Sequence, residues 1–409
     1  MRKRVVVTGM AGCSPLGNDW PTIERTLRTE QNCVRLMPEW DIYDGLHTRL
    51  GAPVAPLELP AHYDRKACRS MGRVAIMATR AAEQVVDHSG LRPLLPGLDG
   101  QVGVAFGSST GEPAAVADFA RMVLENSTRG INATTYIRMM SHTAPVNIAV
   151  FLGLTGRVIT TSSACTSGSQ GIGYAYEAIR HGLQSAMIAG GTEELHPTEA
   201  AVFDTLYATS TRNDEPHRTP RAFDAARDGL VLGEGAGALL LEAIEVAEGR
   251  GAPILAELVG FGTNCDGVHV TRPNAQTMQR AMELALADAG LRPEQIGYIN
   301  AHGTATAAGD VAESRATYAV FGDRVPISGL KSYMGHTLGA CGALEAWMTI
   351  EMMRTGWFSP NLNLDSVDPE CAPLDYIRAG GREIDCEYVM SNNFAFGGIN
   401  TSLIFRRVR

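Results

Sequence analysis

Cys165 lies in the stretch Thr160-Thr-Ser-Ser-Ala-Cys-Thr-Ser-Gly-Ser-Gln-Gly-Ile-Gly, between a short β-like run (Arg157 to Thr160) and an amphipathic helical run (Gly171 to Leu183). A thiol at a strand-to-helix turn meets free helix N–H groups and the positive end of the helix dipole, which favour thiolate and can hold an oxyanion. This is a position for a nucleophile. Three further glycine-flanked clusters accompany it. NAHGTATAAGD puts His302 directly after the strand IGYIN, LKSYMGHTLGA puts Lys331 and His336 between the strand VPISG and a helix, and NNFAFGGIN is a glycine turn leading into the last strand. All follow or bridge strand ends, where α/β sheets bind ligands, so the thiol, both imidazoles and the ammonium are expected in one pocket.

Other chemistries fit less of the chain. Gly107-Ser-Ser-Thr-Gly satisfies the G-x-S-x-G hydrolase pattern after a strand, with Ser109 as nucleophile and His302 or His336 as base, but that leaves Cys165 and Lys331 without a role. The histidines lack close-spaced ligand partners, and there is no GxxxxGK[ST] and no strand-following GxGxxG with a suitably placed acid, so neither a metal nor a nucleotide cofactor is expected. A net charge of −9 argues against nucleic-acid binding.

The elements that must position these groups come in two matching sets. RVVVTGM from Arg4 matches ILAELVGFG from Ile254, and VGVAFGSSTG from Val102 matches IGYINAHGTA from Ile296. RVITTSSACTSGSQGIGYAYEA from Arg157 matches VPISGLKSYMGHTLGACGALEA from Val325 at a constant offset of 168, pairing Gly171 with Gly339 and Glu177 with Glu345. GAGALLLEA and GGINTSLIF supply a final strand to each. Strand-like runs alternate with helical ones such as Arg73 to Val86 and Met278 to Ala289, which predicts two similar α/β halves, residues 1–250 and 251–409, packed as helix, sheet, helix, sheet, helix. The polar stretch Ser210 to Asp228 reads as a surface excursion of the first half.

Composition agrees with a large buried α/β body: 409 residues, 45% of them hydrophobic, with 44 glycines. The apolar run at the N-terminus, Val5 to Val7, is too short for a signal peptide, and no run approaches a membrane span, so a cytoplasmic protein is expected. Eight scattered cysteines without a CxxC pair read mostly as small buried residues.

Together the clusters resemble those of the β-ketoacyl-acyl carrier protein synthases, elongating condensing enzymes of the thiolase fold. The likeness spans VVVTGM, STRND at Ser210, RDGLVLGEGAG at Arg227, NAHGTAT, LKSYMGH and NFAFGGIN. It implies that Cys165 takes an acyl group from an acyl carrier protein, with the N–H groups of Cys165 and Phe396 as oxyanion hole, and that His302 and His336 serve decarboxylation of a malonyl thioester. Lys331 would support the histidines, with Glu345 as its partner. Thr304 and Thr306 alternate, so both can face one side and, by resemblance, bind a pantetheine arm, with Phe394 nearby. Asp310 and Glu313 are spaced to cap or brace the following helix. The resemblance implies no cofactor beyond the carrier's phosphopantetheine, and either a homodimer or a pair with a chain-length-factor-like subunit.

This chain departs from the family pattern at Ala395 and Ile399, in the hinge expected to let Phe396 swing, and at Leu230, where phenylalanine is usual. Thr110 stands where a larger apolar residue is common in elongating fatty-acid enzymes, which predicts an acyl channel that is wider or more polar near Cys165. The stretch from Ser141 to Gln170 resembles ketosynthases of aryl polyene pathways. Independently of the family, Arg65, Lys66, Arg69 and Arg73 recur at helical spacing, with Arg212 elsewhere, and predict a basic face that would steer an acidic carrier protein.

Overall fold

In the computed structural model, which describes residues 2–54 and 57–408, two sets of five strands follow one plan. The first set is β1 (Val5–Cys13), β2 (Val102–Gly107), β3 (Val158–Thr160), β4 (Ala186–Glu193) and β5 (Gly235–Ala243). The second is β6 (Ala256–Cys265), β7 (Ile296–Asn300), β8 (Pro326–Ser328), β9 (Tyr388–Phe394) and β10 (Ile399–Arg407). Their spatial orders, β3-β2-β4-β5-β1 and β8-β7-β9-β10-β6, are the same. In each set the second strand runs parallel to the third and fourth, and the fifth runs antiparallel to its two neighbours. The sets meet edge to edge where β1 pairs antiparallel with β6 over Val5–Val7 and Ala256–Leu258, so neither edge is open at that seam. A short strand, Asp375–Tyr376, extends the far edge beside β8.

Helices fill the remaining three layers. α1 (Arg73–His88) and α2 (Thr143–Leu152) cover the outer face of the first sheet, and α5 (Ala275–Ala289) and α6 (Ala307–Phe321) that of the second. Between the sheets lie α3 (Ser167–Arg180) and α8 (Cys341–Thr355), each touching strands of both sets. A helix covered on all sides must be apolar or small on all sides, and every residue of α8 from Cys341 to Ile350 is buried. The two central helices approach closely: a Cβ on Gly168 would lie 2.9 Å from the Ala343 nitrogen, and one on Gly342 would lie 2.6 Å from the Ser169 nitrogen. Only glycine permits that separation. Among the described residues, no helix is long and apolar enough to cross a membrane.

Three expectations need correction. The offset of 168 holds for the strands β3 and β8 but becomes 174 at the helices, because Ala164–Thr166 and Leu338–Ala340 are the matching turns that enter α3 and α8. The extra residues form a one-turn helix, α7 (Lys331–Met334), and its exit at Gly335. The central helix of the first half begins at Ser167 rather than Gly171. Ser210 to Asp228 is also more than a surface excursion, since Thr219 to Asp224 is buried against the second half. There the Phe223 N–H donates to Asp310 (2.7 Å), and Asp224 accepts from the Asp365 and Ser366 N–H groups (2.8 and 2.9 Å).

Candidate active site

The turn into α3 sets the nucleophile. Ala164 has φ +50°, a left-handed conformation that costs an alanine energy, and one 3-10 turn then leads into the helix. Ser167 fastens the turn by accepting from the Ser163 N–H (2.9 Å) and donating to the Ala164 carbonyl (2.7 Å). The Cys165 sulfur is thereby aimed at the Nε2 of His336, 3.0 Å away. The backbone N–H groups of Cys165 itself and of Phe396 also point at the sulfur.

Each histidine is oriented by its other nitrogen. The Leu338 N–H donates to Nδ1 of His336 (3.2 Å), so the neutral ring carries its proton on Nε2, facing Cys165. Gly335, at φ +70°, makes this loop possible, because a Cβ there would sit 2.9 Å from the Leu232 carbonyl. Lys331 Nζ lies 3.1 Å from Nδ1 of His302; an ammonium only donates, so His302 also keeps its proton on Nε2. The two rings stand nearly perpendicular, 5.2 Å apart. Burial, reinforced by the Lys331 charge, holds both imidazoles well below their usual range, so they are neutral N–H donors.

Lys331 itself is 1% exposed and pairs with Glu345 Oε1 at 2.5 Å. Burial opposes the ammonium charge, but Glu345 more than offsets this and leaves Lys331 raised. Asn393 donates to the other Glu345 oxygen (2.7 Å), so this buried pair has the additional hydrogen bond it needs. Asn393 was not singled out from sequence; its only signal was its place in NNFAFGGIN.

The loop bearing His302 is held from behind. Glu313 accepts from the His302 and Gly303 N–H groups, both at 2.7 Å, and Asp310 accepts from Ala305 (3.1 Å) and Phe223. These acids brace the preceding loop and do not cap α6, whose N-cap is Thr306. Ala305 has φ +64°, so the segment is a turn and not extended, yet the hydroxyls of Thr304 and Thr306 still meet at 2.9 Å. Both line a cleft of about 330 Å³ with Cys165, His302, His336, Phe394 and Phe396. Leu230 and Arg272 also line it.

Burial pushes the Cys165 thiol up to about 11 despite the opposing Lys331 charge. The thiolate expected from the helix dipole is therefore not the resting form, and the three N–H groups around sulfur serve to stabilise it as it forms. Cys341 lies closer than its sequence position suggests, its thiol donating to the Cys165 carbonyl at 3.1 Å, but burial pushes it well above the ordinary thiol value. Cys165, His302 and His336 present ligand atoms within 4.8 Å of one another, a spacing a thiophilic cation could use, although the Lys331 ammonium already supplies positive charge there.

Other expected site residues fall elsewhere. Ser109 Oγ donates to Glu193 at 2.5 Å and meets no histidine, which removes the hydrolase reading. Thr110 does not line the cleft; its hydroxyl donates to Glu199 at 3.1 Å. Arg65, Lys66 and Arg69 are exposed, but on a run of turns and not on a helix face: Asp64 accepts from the Lys66 and Ala67 N–H groups (2.8 Å each) as a cap would, yet no regular helix follows before Arg73. Arg73 is the first residue of α1 and pairs with Glu234. Arg212 is half-buried and tied to Asp228 and Glu215.

Two family models match the chain: the β-ketoacyl synthase N-terminal domain over residues 2–247 and its C-terminal domain over residues 255–365. A 3-oxoacyl-[acyl-carrier-protein] synthase 2 of Vibrio harveyi is 37% identical, covering 100% of this chain and 99% of that one. A crystal structure of a β-ketoacyl synthase from Burkholderia phymatum superposes with TM-score 0.97 and 59% identity, and the ishigamide ketosynthase/chain length factor with 0.89 and 31%; both cover the whole of each chain. With a sulfur, two neutral imidazoles and a buried lysine converging at the seam of two matched halves, and with that likeness over its full length, the chain belongs to the β-ketoacyl synthase family.

Proposed function

We propose that the protein catalyses decarboxylative condensation of an acyl thioester with a malonyl thioester on acyl carrier protein, and the observation that carries this reading is the pair of Nε2–H donors converging beside Cys165. The sulfur attacks the carrier-bound acyl thioester. The tetrahedral oxyanion accepts from the N–H groups of Cys165 and Phe396, and collapse transfers the acyl group to sulfur while the carrier thiol leaves with the proton. A malonyl thioester then enters along Thr304 and Thr306 and loses carbon dioxide. The enolate oxygen accepts from Nε2–H of His302 and His336, which are neutral donors that need not give up a proton, while Lys331 fixes the His302 tautomer. The enolate carbon attacks the acyl-sulfur carbonyl, and the Cys165 thiolate leaves and takes up a proton.

The carrier protein would approach over exposed Arg65, Lys66 and Arg69. A second subunit, identical or of the chain-length-factor kind, would cover β3, whose outer edge is free of strand partners among the described residues and which lies near exposed Val150. The resemblance of Ser141 to Gln170 supports conjugated acyl chains as substrates in preference to ordinary fatty-acid elongation. Intact-protein mass measurement after mixing with acyl carriers, followed by carbon dioxide release from malonyl carrier, tests the reaction. Acyl mass on Cys165 and carbon dioxide coupled to it are expected, and their absence would overturn the reading. Comparing polyenoyl with saturated carriers of equal length tests the substrate class; preference for saturated chains would return the protein to fatty-acid synthesis.

A further inference from the structure

The rings of Phe203 and Phe396, their centroids 5.0 Å apart, belong to the apolar cluster that holds Cys165, and buried carboxyls adjoin that cluster. Glu199 lies one turn before Phe203 on the helix α4 (Pro197–Asp204) and is 4% exposed. Thr110 donates to its Oε1, while its Oε2 is buried without a partner. Glu193, wholly buried at the end of β4, accepts the Ser109 N–H (2.7 Å), the Ser109 hydroxyl (2.5 Å) and the Gly339 N–H (3.0 Å) all on Oε2, and its Oε1 also lacks a partner. The Ser163 hydroxyl, two residues before the nucleophile, is buried and unpartnered as well. Buried oxygens left unmet are costly, and these three lie on segments that carry Cys165 or pack against its cluster.

Ala200 and Phe203 pack in one apolar cluster with Cys165, Leu338 and Cys341. Ser109 and Thr110 are consecutive, so one turn holds both carboxyls, and Gly339, which donates to Glu193, follows directly on Leu338 of the Cys165 cluster. Neither carboxyl has an ion-pair partner among the described residues. Burial without a counter-cation favours the protonated carboxyl, and Glu199 is held well above the carboxylate range by burial first and by Glu193 second. The complement to such a pair is an uncharged group that both donates and accepts.

We propose that Glu199, set by Thr110 and Glu193, forms a polar end to the acyl slot that selects acyl groups bearing a hydroxyl, which accepts from Oε2–H of Glu199. This rests on Cys165 carrying the acyl group. The test compares acylation of Cys165 by acyl carriers of matched length ending in hydroxyl, methyl or ammonium, across a series of chain lengths, for the full chain and for Glu199→Leu, Glu199→Gln and Thr110→Val. Acetyl carrier is included, because acetyl is too short to reach the proposed contact. At one length the unaltered protein should prefer the hydroxyl-ended chain over the methyl-ended one by about tenfold or more. Glu199→Leu should invert that ratio, Glu199→Gln should retain it, and Thr110→Val should lower it several-fold. Since the readout is a ratio on protein that still loads acetyl, loss of folding cannot imitate the result.

Equal ratios in the unaltered protein and Glu199→Leu at every length would overturn the proposal, as would preference for the ammonium-ended chain. So would a Glu199→Leu protein whose ratios are unchanged but whose subunits dissociate more readily, since the oxygen would then be met by a second copy. If even acetyl fails to load Cys165 in the unaltered protein, the reaction proposed above falls, and this inference with it.

Discussion

At the entrance to α3 the residue before the nucleophile, Ala164, has φ +50°, and at the entrance to α8 the corresponding Leu338 has φ +42°; a 3-10 turn follows each. The backbone is the same, and the next residue differs. In the first half it is Cys165, in the second Gly339, where a Cβ would come 2.8 Å from the Glu193 carboxylate and 2.9 Å from Ser109. The relation reverses two turns further along the helices. Glu345 of α8 holds Lys331, whereas its counterpart in α3 is Gly171, whose Cβ would press on the Ala105 and Gly190 carbonyls at 2.8 Å. One copy of the turn thus supplies the reactive atom and the other the charge behind it. The six extra residues of the second half, containing α7, bring Lys331 and His336 to the first half's sulfur.

That division can be broken at each of its parts. Cys165→Ala should remove acyl-enzyme formation and lower condensation by about 10⁴-fold or more, because Cys341 does not line the cleft and Gly339 has no side chain. Intact mass and product formation read this out, and acyl mass on the variant would dissolve the contrast between the turns. His302→Ala and His336→Ala should each cut decarboxylation by about 10²–10³-fold, the usual cost of one oxyanion donor, while some acylation persists. Unimpaired carbon dioxide release from both would make the second half's contribution purely structural.

Next in size is the buried pair. Lys331→Met should destabilise the fold by about 3–5 kcal/mol by leaving Glu345 unpaired, and Lys331→Met with Glu345→Leu should recover most of that stability without recovering activity. Denaturant midpoints alongside turnover separate the two effects, and recovered turnover would show that the charge is not needed at His302. A gentler probe is pH. With the resting thiol at about 11, the thiolate fraction grows as pH rises, so acylation should still be accelerating between pH 7 and 9; a plateau by pH 7 would mean a preformed thiolate, as the helix dipole alone predicts. The smallest effect is expected from reversing Arg65, Lys66 and Arg69, which should raise the carrier-protein KM by several-fold at low salt and leave small thioesters unaffected.

The sequence made the reactive groups visible because each sits in a glycine-rich turn that interrupts an apolar strand. It also showed the repeat, because buried strands and central helices tolerate few residue types. What it hid depends on long-range contact. Glu193 and Glu199 look like ordinary acids of GGTEELHPTE until Ser109, Thr110 and Gly339 are seen to reach them from other elements. The helical spacing at Arg65 is realised only as a run of turns, and the change of offset from 168 to 174 is masked because small residues in both helices match in either register. Thr219 to Asp224 reads as polar chain, yet its polar atoms are used up in anchoring it to the other half.

That anchored arm, together with the β1–β6 pairing, has a consequence for how the protein is made. As the chain leaves the ribosome, β1 has an open edge and Phe223 has nothing to pack on until β6, Asp310 and Ser366 have been synthesised. At ~5–20 residues per second, the interval between Cys165 and the last of its partners, Phe396, is on the order of tens of seconds. Throughout that interval the nascent first half carries a thiol without all its donors, while its β1 edge stays open to a neighbouring nascent chain only until β6 emerges. The edge is therefore covered well before the site is complete, and a chain divided near residue 250 would leave the sulfur in one piece and both imidazoles in the other.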